Sequence, residues 1–351
     1  MARSRKVGIL TFHRCINYGS YWQARALAEG LAARGHAVRL LDHRSRRATA
    51  AEWRCALSPL LPARTPRHDF PLYAAKVRRF EAAFAGLPLS PAFDLDRPDA
   101  AEPFDAIVVG SDEVWNFSHP WYACRPAFFG DGLRAERLVS YAASFGSYPA
   151  DWGLHPYWGG KLAGNFDAIA VRDDNSRRLV EQAGAREAEL VLDPCLQFDW
   201  ACRRAGEESD EVVVYGHSFP EAFVRSVRRW AEARRLRLVS LGYRNAWADE
   251  SRIDLGPEEF AGAMGSARAV VTNFFHGCVF AILNRRPFAC AVSDYRANKV
   301  TALASALGLE DRLTTDDLPG HALDEAPGHA VADRLAALRR TSDDYLAHAL
   351  G

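Results

Sequence analysis

Val7-Gly8-Ile9-Leu10-Thr11-Phe12, then Ser20-Tyr21-Trp22-Gln23-Ala24 continuing to position 33, then Ala37-Val38-Arg39-Leu40-Leu41: these three runs open the chain. The first is apolar and reads as a strand. The second places apolar residues at 24, 27, 28 and 31, the spacing of one helix face, and stops at Arg34-Gly35. The third reads as a second strand. Strand, helix and strand in close succession form a βαβ unit, the building block of parallel α/β sheets.

The same alternation continues outward. Residues 106–109, 137–142 and 168–172 read as strands, followed by a helix at 174–183 and a strand at 188–192. Between them, residues 45–103 are rich in Arg, Pro and Ala and read as an irregular insertion or lid with one helix at 70–86. A second block follows the charged stretch 203–211. It holds strands at 212–215, 236–241, 269–272 and 288–292, with helices at 220–234, 257–264, from about 276, at 298–307 and at 330–349. Glu258 and Glu259 sit in the first turn of the 257–264 helix, where the helix dipole favours acids. The expected domains are 1–203 (insertion included) and 204–328, with a terminal helix at 329–351 packing back on the first. Both domains are Rossmann-like and are expected to face each other across a cleft.

Composition narrows the function. The 351 residues are 48% hydrophobic and 25% charged, which fits a globular protein and excludes disorder and collagen-like repeats. Lys+Arg and Asp+Glu are 44 each, so no net field draws the chain to nucleic acid. The apolar run at 7–10 ends at Thr11, too short for a secretion signal, and no stretch approaches 18 apolar residues, so no membrane span is expected. Seven cysteines (15, 55, 124, 195, 202, 278, 290) are scattered without a CxxC pair, as in a cytoplasmic protein with reduced thiols. The histidines lack ligand spacing such as HExxH. No metal and no cofactor are expected, and a homo-oligomer is compatible with the chain.

In open α/β sheets ligands bind beyond the carboxyl ends of strands. The loop His13-Arg14-Cys15-Ile16-Asn17-Tyr18-Gly19-Ser20 carries no GxGxxG; its Asn, Tyr and Gly can donate to a ligand, or Ser20 can simply cap a helix. Gly110-Ser111-Asp112-Glu113-Val114-Trp115-Asn116 sets two acids beside Ser, Trp and Asn, suiting a sugar or base; a cap at Ser111 or Asp112 is the structural alternative. Ser140-Tyr141-Ala142-Ala143-Ser144-Phe145-Gly146 supplies small residues for a close approach. In Ala170-Val171-Arg172-Asp173, Arg172 can clamp a carboxylate or phosphate, or pair with an Asp. Thr272-Asn273-Phe274-Phe275-His276-Gly277-Cys278 leads into a helix expected to begin at Gly277, whose N–H groups suit an anion. His276 there can bind phosphate or give a proton, although a lone His is more often structural. Asp294-Tyr295-Arg296-Ala297-Asn298-Lys299 adds two cations. Arg172, His276, Arg296 and Lys299 would form a positive pocket suited to a small dianion. Cys15 and Cys278 also lie in such loops but read as small apolar filling.

In order along the chain, these loops resemble those of the polysaccharide pyruvyl transferase family. The matching stretches begin with Gly8-Ile9-Leu10-Thr11-Phe12, Asn17-Tyr18-Gly19, Gln23-Ala24 and Val109-Gly110-Ser111-Asp112-Glu113-Val114-Trp115-Asn116. Residues 140–146, Val171-Arg172-Asp173, Leu192-Asp193-Pro194 and Phe275-His276-Gly277-Cys278-Val279-Phe280 complete them. The resemblance spans about 6–313 and implies a GT-B-like fold. It also implies transfer of the enolpyruvyl group of phosphoenolpyruvate (PEP) to hydroxyls of a carbohydrate or carbohydrate-like acceptor as a ketal, with phosphate released. The donor side would comprise Arg172, His276, Gly277, Arg296, Asn298, Lys299 and His217. The acceptor side would comprise Asn17, Tyr18, Ser111, Trp115 and Asn116. His276 is the candidate acid, and Asp112 or Glu113 the candidate base. The chain departs from the family pattern at Trp22, Phe274, Cys278 and Lys299. Those departures leave two alternatives open: a natural-product transferase using another anionic donor such as a sugar nucleotide, or an inactive binding homologue.

Overall fold

The computed structural model describes residues 4–351 apart from 60, 63, 185, 186, 205, 294–296 and 319. The chain runs β1 (Lys6–Leu10), α1 (Tyr18–Ala33), β2 (Ala37–Leu40), β3 (His43–Arg44), α2 (Arg46–Leu57), α3 (Phe70–Ala85), β4 (Phe93–Asp94), β5 (Phe104–Val109) and β6 (Ala135–Ser140). Next come α4 (Pro156–Asn165), β7 (Ile169–Val171), α5 (Asp174–Gln182), β8 (Ala188–Leu190), α6 (Pro194–Gln197), α7 (Asp199–Cys202), β9 (Glu211–Tyr215), α8 (Glu221–Arg234) and β10 (Arg237–Leu241). It closes with β11 (Glu250–Arg252), α9 (Pro257–Ser266), β12 (Ala269–Thr272), α10 (Phe275–Leu283), β13 (Phe288–Ala291), α11 (Ala297–Leu307), β14 (Leu313–Thr314) and α12 (His329–Leu350).

These elements form two compact units. The first comprises Met1–Glu52, Phe84–Ala201 and Ala336–Gly351, and the second Trp53–Ala83 and Cys202–Leu335. In the first unit a parallel sheet has the order β2-β1-β5-β6. Parallel bridges Val139–Ala168 and Ala143–Val171 extend it to the β7–β8 pair. Val7, Ile9, Leu10 and residues 106–109 are fully buried, as strands covered on both faces must be. Connections from β1 leave in opposite directions to β2 and β5, so the switch point lies between β1 and β5.

The second unit's parallel sheet has the order β11-β10-β9-β12-β13-β14, with its switch point between β9 and β12. Val212, Val214, Val271 and Ala289 form its core with Phe223 and Val227 of α8.

Residues 45–103 are not irregular. They carry both α2 and α3, and residues 53–83 belong to the second unit. The sequence conceals α2 because it buries only Ala48 and Glu52, too little for an apolar stripe. At the other end, α12 fixes the first unit: the Tyr345 hydroxyl donates to Ser140 O at 2.6 Å and Leu192 N donates to Ser342 Oγ at 2.9 Å. Among the described residues no helix is long and apolar enough to cross a membrane.

Candidate active site

At the sheet end of the first unit, the loops after β5 and β8 converge on the guanidinium of Arg172, which directly follows β7. The Arg172 side chain is 2% exposed. Its Nη2 donates to Asp112 Oδ1 at 3.2 Å and its Nη1 to Asp193 Oδ2 at 2.9 Å. Ser20 Oγ donates to Asp112 Oδ2 at 2.6 Å, and Glu113 N to Asp112 Oδ1 at 2.9 Å. Asp112 adopts φ 77°, a left-handed conformation that β-carbon-bearing residues seldom take. Asp193 also caps α6 through Cys195 N at 3.0 Å. Burial opposes the charge on Arg172, but Asp112, Asp193, Glu113 and Asp173 outweigh it and raise its pKa.

Arg172 lies among acids in the first unit, and its Nη atoms hold carboxylates of the protein itself. Ser20 does not cap α1. Asn17 does, its Oδ1 accepting from Gly19 N at 2.8 Å and Ser20 N at 3.2 Å. Nor does Ser111 or Asp112 cap a helix: Ser111 Oγ donates to Ala142 O and its carbonyl accepts from Thr11 Oγ1. Trp115 is core, its indole N–H on Phe128 O at 2.7 Å, and Tyr18 is buried too. Asn116 donates to Glu113 Oε2 at 2.7 Å and accepts from Ser118 N. Gly146 leaves room for that carboxylate, since a β-carbon there would stand 2.2 Å from Glu113 Oε2.

In the second unit the loops after β9 and β12 meet. Asn273 Nδ2 donates to His217 O at 2.6 Å, and the Phe274 ring lies 5.5 Å from His217 and 5.7 Å from Tyr243. Helix α10 starts at Phe275, earlier than expected, with Phe274 as an N-cap that supplies no side-chain bond. His276 therefore sits within the first turn, buried, its ring edge-on to Phe275 at 5.1 Å. Gly277 N already bonds Phe274 O at 3.0 Å. A β-carbon at Gly277 would stand 2.0 Å from Thr272 Oγ1, so close packing demands this glycine. Lys299 is buried at the start of α11 and Asn298 is exposed beside it, while Arg296 lies outside the described residues. The Cys278 thiol is pushed well up by a hydrogen bond with the free thiol of Cys290 and by burial, which disfavours a nucleophilic thiolate.

Sequence reading missed Ser20 as the partner of Asp112, and Asp193 as the second carboxylate on Arg172. The signal for Asp193 was present: Asp-Pro directly after a strand reads as a cap and first helical turn at a ligand-side loop.

The sequence model of polysaccharide pyruvyl transferases matches residues 17–295, across both units. The chain belongs to this family. Pyruvyl transferases of this kind modify carbohydrates, and the protein is a transferase. A search of curated proteins finds no match. Among solved structures the chain resembles a UDP-N-acetylglucosamine 2-epimerase from Listeria monocytogenes, with 10% identity, 97% of this chain and 90% of that one covered, and a TM-score of 0.51. It is also similar to S. aureus MnaA solved with UDP (11% identity, 96% and 90% covered, TM-score 0.48). E. coli heptosyltransferase WaaC with ADP follows (14%, 95% and 99%, TM-score 0.41). At 10% identity the likeness to the Listeria monocytogenes structure concerns the fold alone, which is GT-B-like.

Proposed function

We propose that this pyruvyl transferase moves the enolpyruvyl group of PEP onto two hydroxyls of a carbohydrate or carbohydrate-like acceptor, forming a ketal and releasing phosphate. The observation that carries the reading is the ordered Asp112–Arg172–Asp193 network in a chain matching the family across both units. C3 of PEP takes a proton and becomes a methyl group. One hydroxyl adds at C2, the second displaces phosphate, and the two hydroxyl protons end on C3 and on phosphate.

Asp112 or Glu113 accepts a hydroxyl proton, and Arg172 holds Asp112 in register for it. His276, Lys299 and His217 of the second unit serve the anionic donor, with His276 as the acid toward C3 or the phosphate oxygen. Asn17 orders the loop beside the acceptor through its cap. Titrating PEP calorimetrically into the protein and its His276→Ala variant tests the donor. Phosphate release with sugar acceptors in Asp112→Asn and Glu113→Gln tests the base. Saturable PEP binding lost in His276→Ala is expected, with turnover collapsing in one of the two acid variants. Absence of binding at millimolar PEP would exclude this donor and direct the search to sugar nucleotides.

A further inference from the structure

The second unit contains a cavity of about 530 Å³ to which none of the residues assigned above contributes. That volume lies in the ~300–1,000 Å³ range of pockets enclosing whole small molecules. Its apolar walls include Leu61 and Pro66, Phe219 and Val224 near the start of α8, and Trp247 after β10. The Phe219 and Trp247 rings meet edge-to-face at 5.6 Å.

The wall after β10 is held from several directions. Lys76 Nζ of α3 donates to Gly242 O at 3.1 Å, and Arg244 forms an ion pair with the fully buried Asp69. Asn245, 6% exposed, donates through Nδ2 to Gly216 O at 2.9 Å and to Ser240 Oγ at 2.8 Å. Arg228 Nη1 donates to Trp247 O at 2.6 Å. A wall fixed in this way exists before any ligand arrives, which lowers the ordering cost of binding.

Charge completes the description. Among the described residues four charged ones line the cavity: Arg64, Arg225, Arg244 and Glu221. Arg244 is balanced by Asp69, and Arg225 faces Glu221 at 3.6 Å. Arg64 forms no ion pair with another described residue, so the lining carries one positive charge in excess. PEP has no apolar body to cover such walls.

We propose that this cavity binds a second small molecule, an amphipathic anion with an aromatic or otherwise apolar body and one anionic group. The inference stands apart from the pyruvyl-transfer reading. The probe is 1-anilinonaphthalene-8-sulfonate, whose fused rings and single sulfonate match that description. Its fluorescence is titrated against the intact protein, and circular-dichroism melting checks that each variant is folded.

The expected result is one saturable site per chain, weakened at least tenfold in Val224→Trp and in Ala246→Trp, which fill the cavity. Ala246 is exposed, so its variant keeps the test open should Val224→Trp misfold. Arg64→Glu is expected to weaken the dye about fivefold, while millimolar PEP leaves it bound. Dye binding unchanged in a folded filling variant would overturn the site. Indifference to Arg64→Glu would overturn its preference for anions, and displacement by PEP would return the cavity to the donor. Failure to find pyruvyl transfer would alter none of these readings.

Discussion

Lys76 is 3% exposed, with Nζ on the Gly242 carbonyl and 4.6 Å from the Tyr243 ring centroid. Burial lowers its pKa from 10.5 to about 7, against a small opposing effect of Cys55. The unfolded chain holds this proton up to pH ~10.5, whereas the folded protein releases it near pH 7. The unfolded state therefore binds more protons between those values, and stability rises with pH across that window. The penalty is complete below pH 7. At ~1.4 kcal/mol per pH unit, it amounts to about 4–5 kcal/mol.

Lys76→Met keeps the length and removes the charge. It forfeits the bond to Gly242 O and the ring contact, about 1–2 kcal/mol and about 1 kcal/mol respectively. The variant should then be about 2 kcal/mol more stable than wild type at pH 6, equal near pH ~9, and less stable at pH ~10.5. Urea unfolding followed by tryptophan fluorescence across that range measures the difference. A Met variant less stable at pH 6, or a difference that does not change with pH, would refute the reasoning.

Gly277→Ala should cost about 2–3 kcal/mol by driving a methyl group into Thr272 Oγ1. In a double-mutant cycle with Thr272→Ala the two costs should fall short of additivity by at least about 1 kcal/mol; additive melting data would show that the clash is not the cause. Asp193→Asn keeps the α6 cap but takes one carboxylate away from the buried Arg172 guanidinium, for a loss of about 2–3 kcal/mol. Calorimetry should show the melting temperature lowered by roughly 5–10 °C. Tyr345→Phe should cost about 1–2 kcal/mol by leaving Ser140 O without its hydroxyl donor, read from denaturant midpoints.

The strands were legible because parallel sheets buried on both faces require unbroken apolar runs: residues 269–272 read from sequence coincide with β12. Helices were legible where an apolar stripe marked them, as at residues 24, 27, 28 and 31 of α1. Edge strands β11 and β14, each only two or three residues long, carry no periodicity to detect. The loops that bring Asp112, Arg172 and His276 to sheet ends could be picked out by their polar residues following apolar strands. Their partners could not. Whether Arg172 meets a substrate anion or Asp193 depends on distances between loops far apart in sequence, and Trp115 and Ser111 look like ligand residues until the core around them is assembled.

Three separate stretches build the first unit, and the last of them, residues 336–351, lies at the far end of α12. During translation, β1, β5 and β6 leave the ribosome long before that helix is made. Until it arrives, the Ser140 carbonyl and the Leu192 amide lack the partners that α12 gives them. The first unit is thus begun early and finished last, after the whole of the second has been synthesised. A nascent chain spends that interval with the seat of α12 uncovered, which makes the late stages of synthesis the period when chaperones or proteases would have most to recognise.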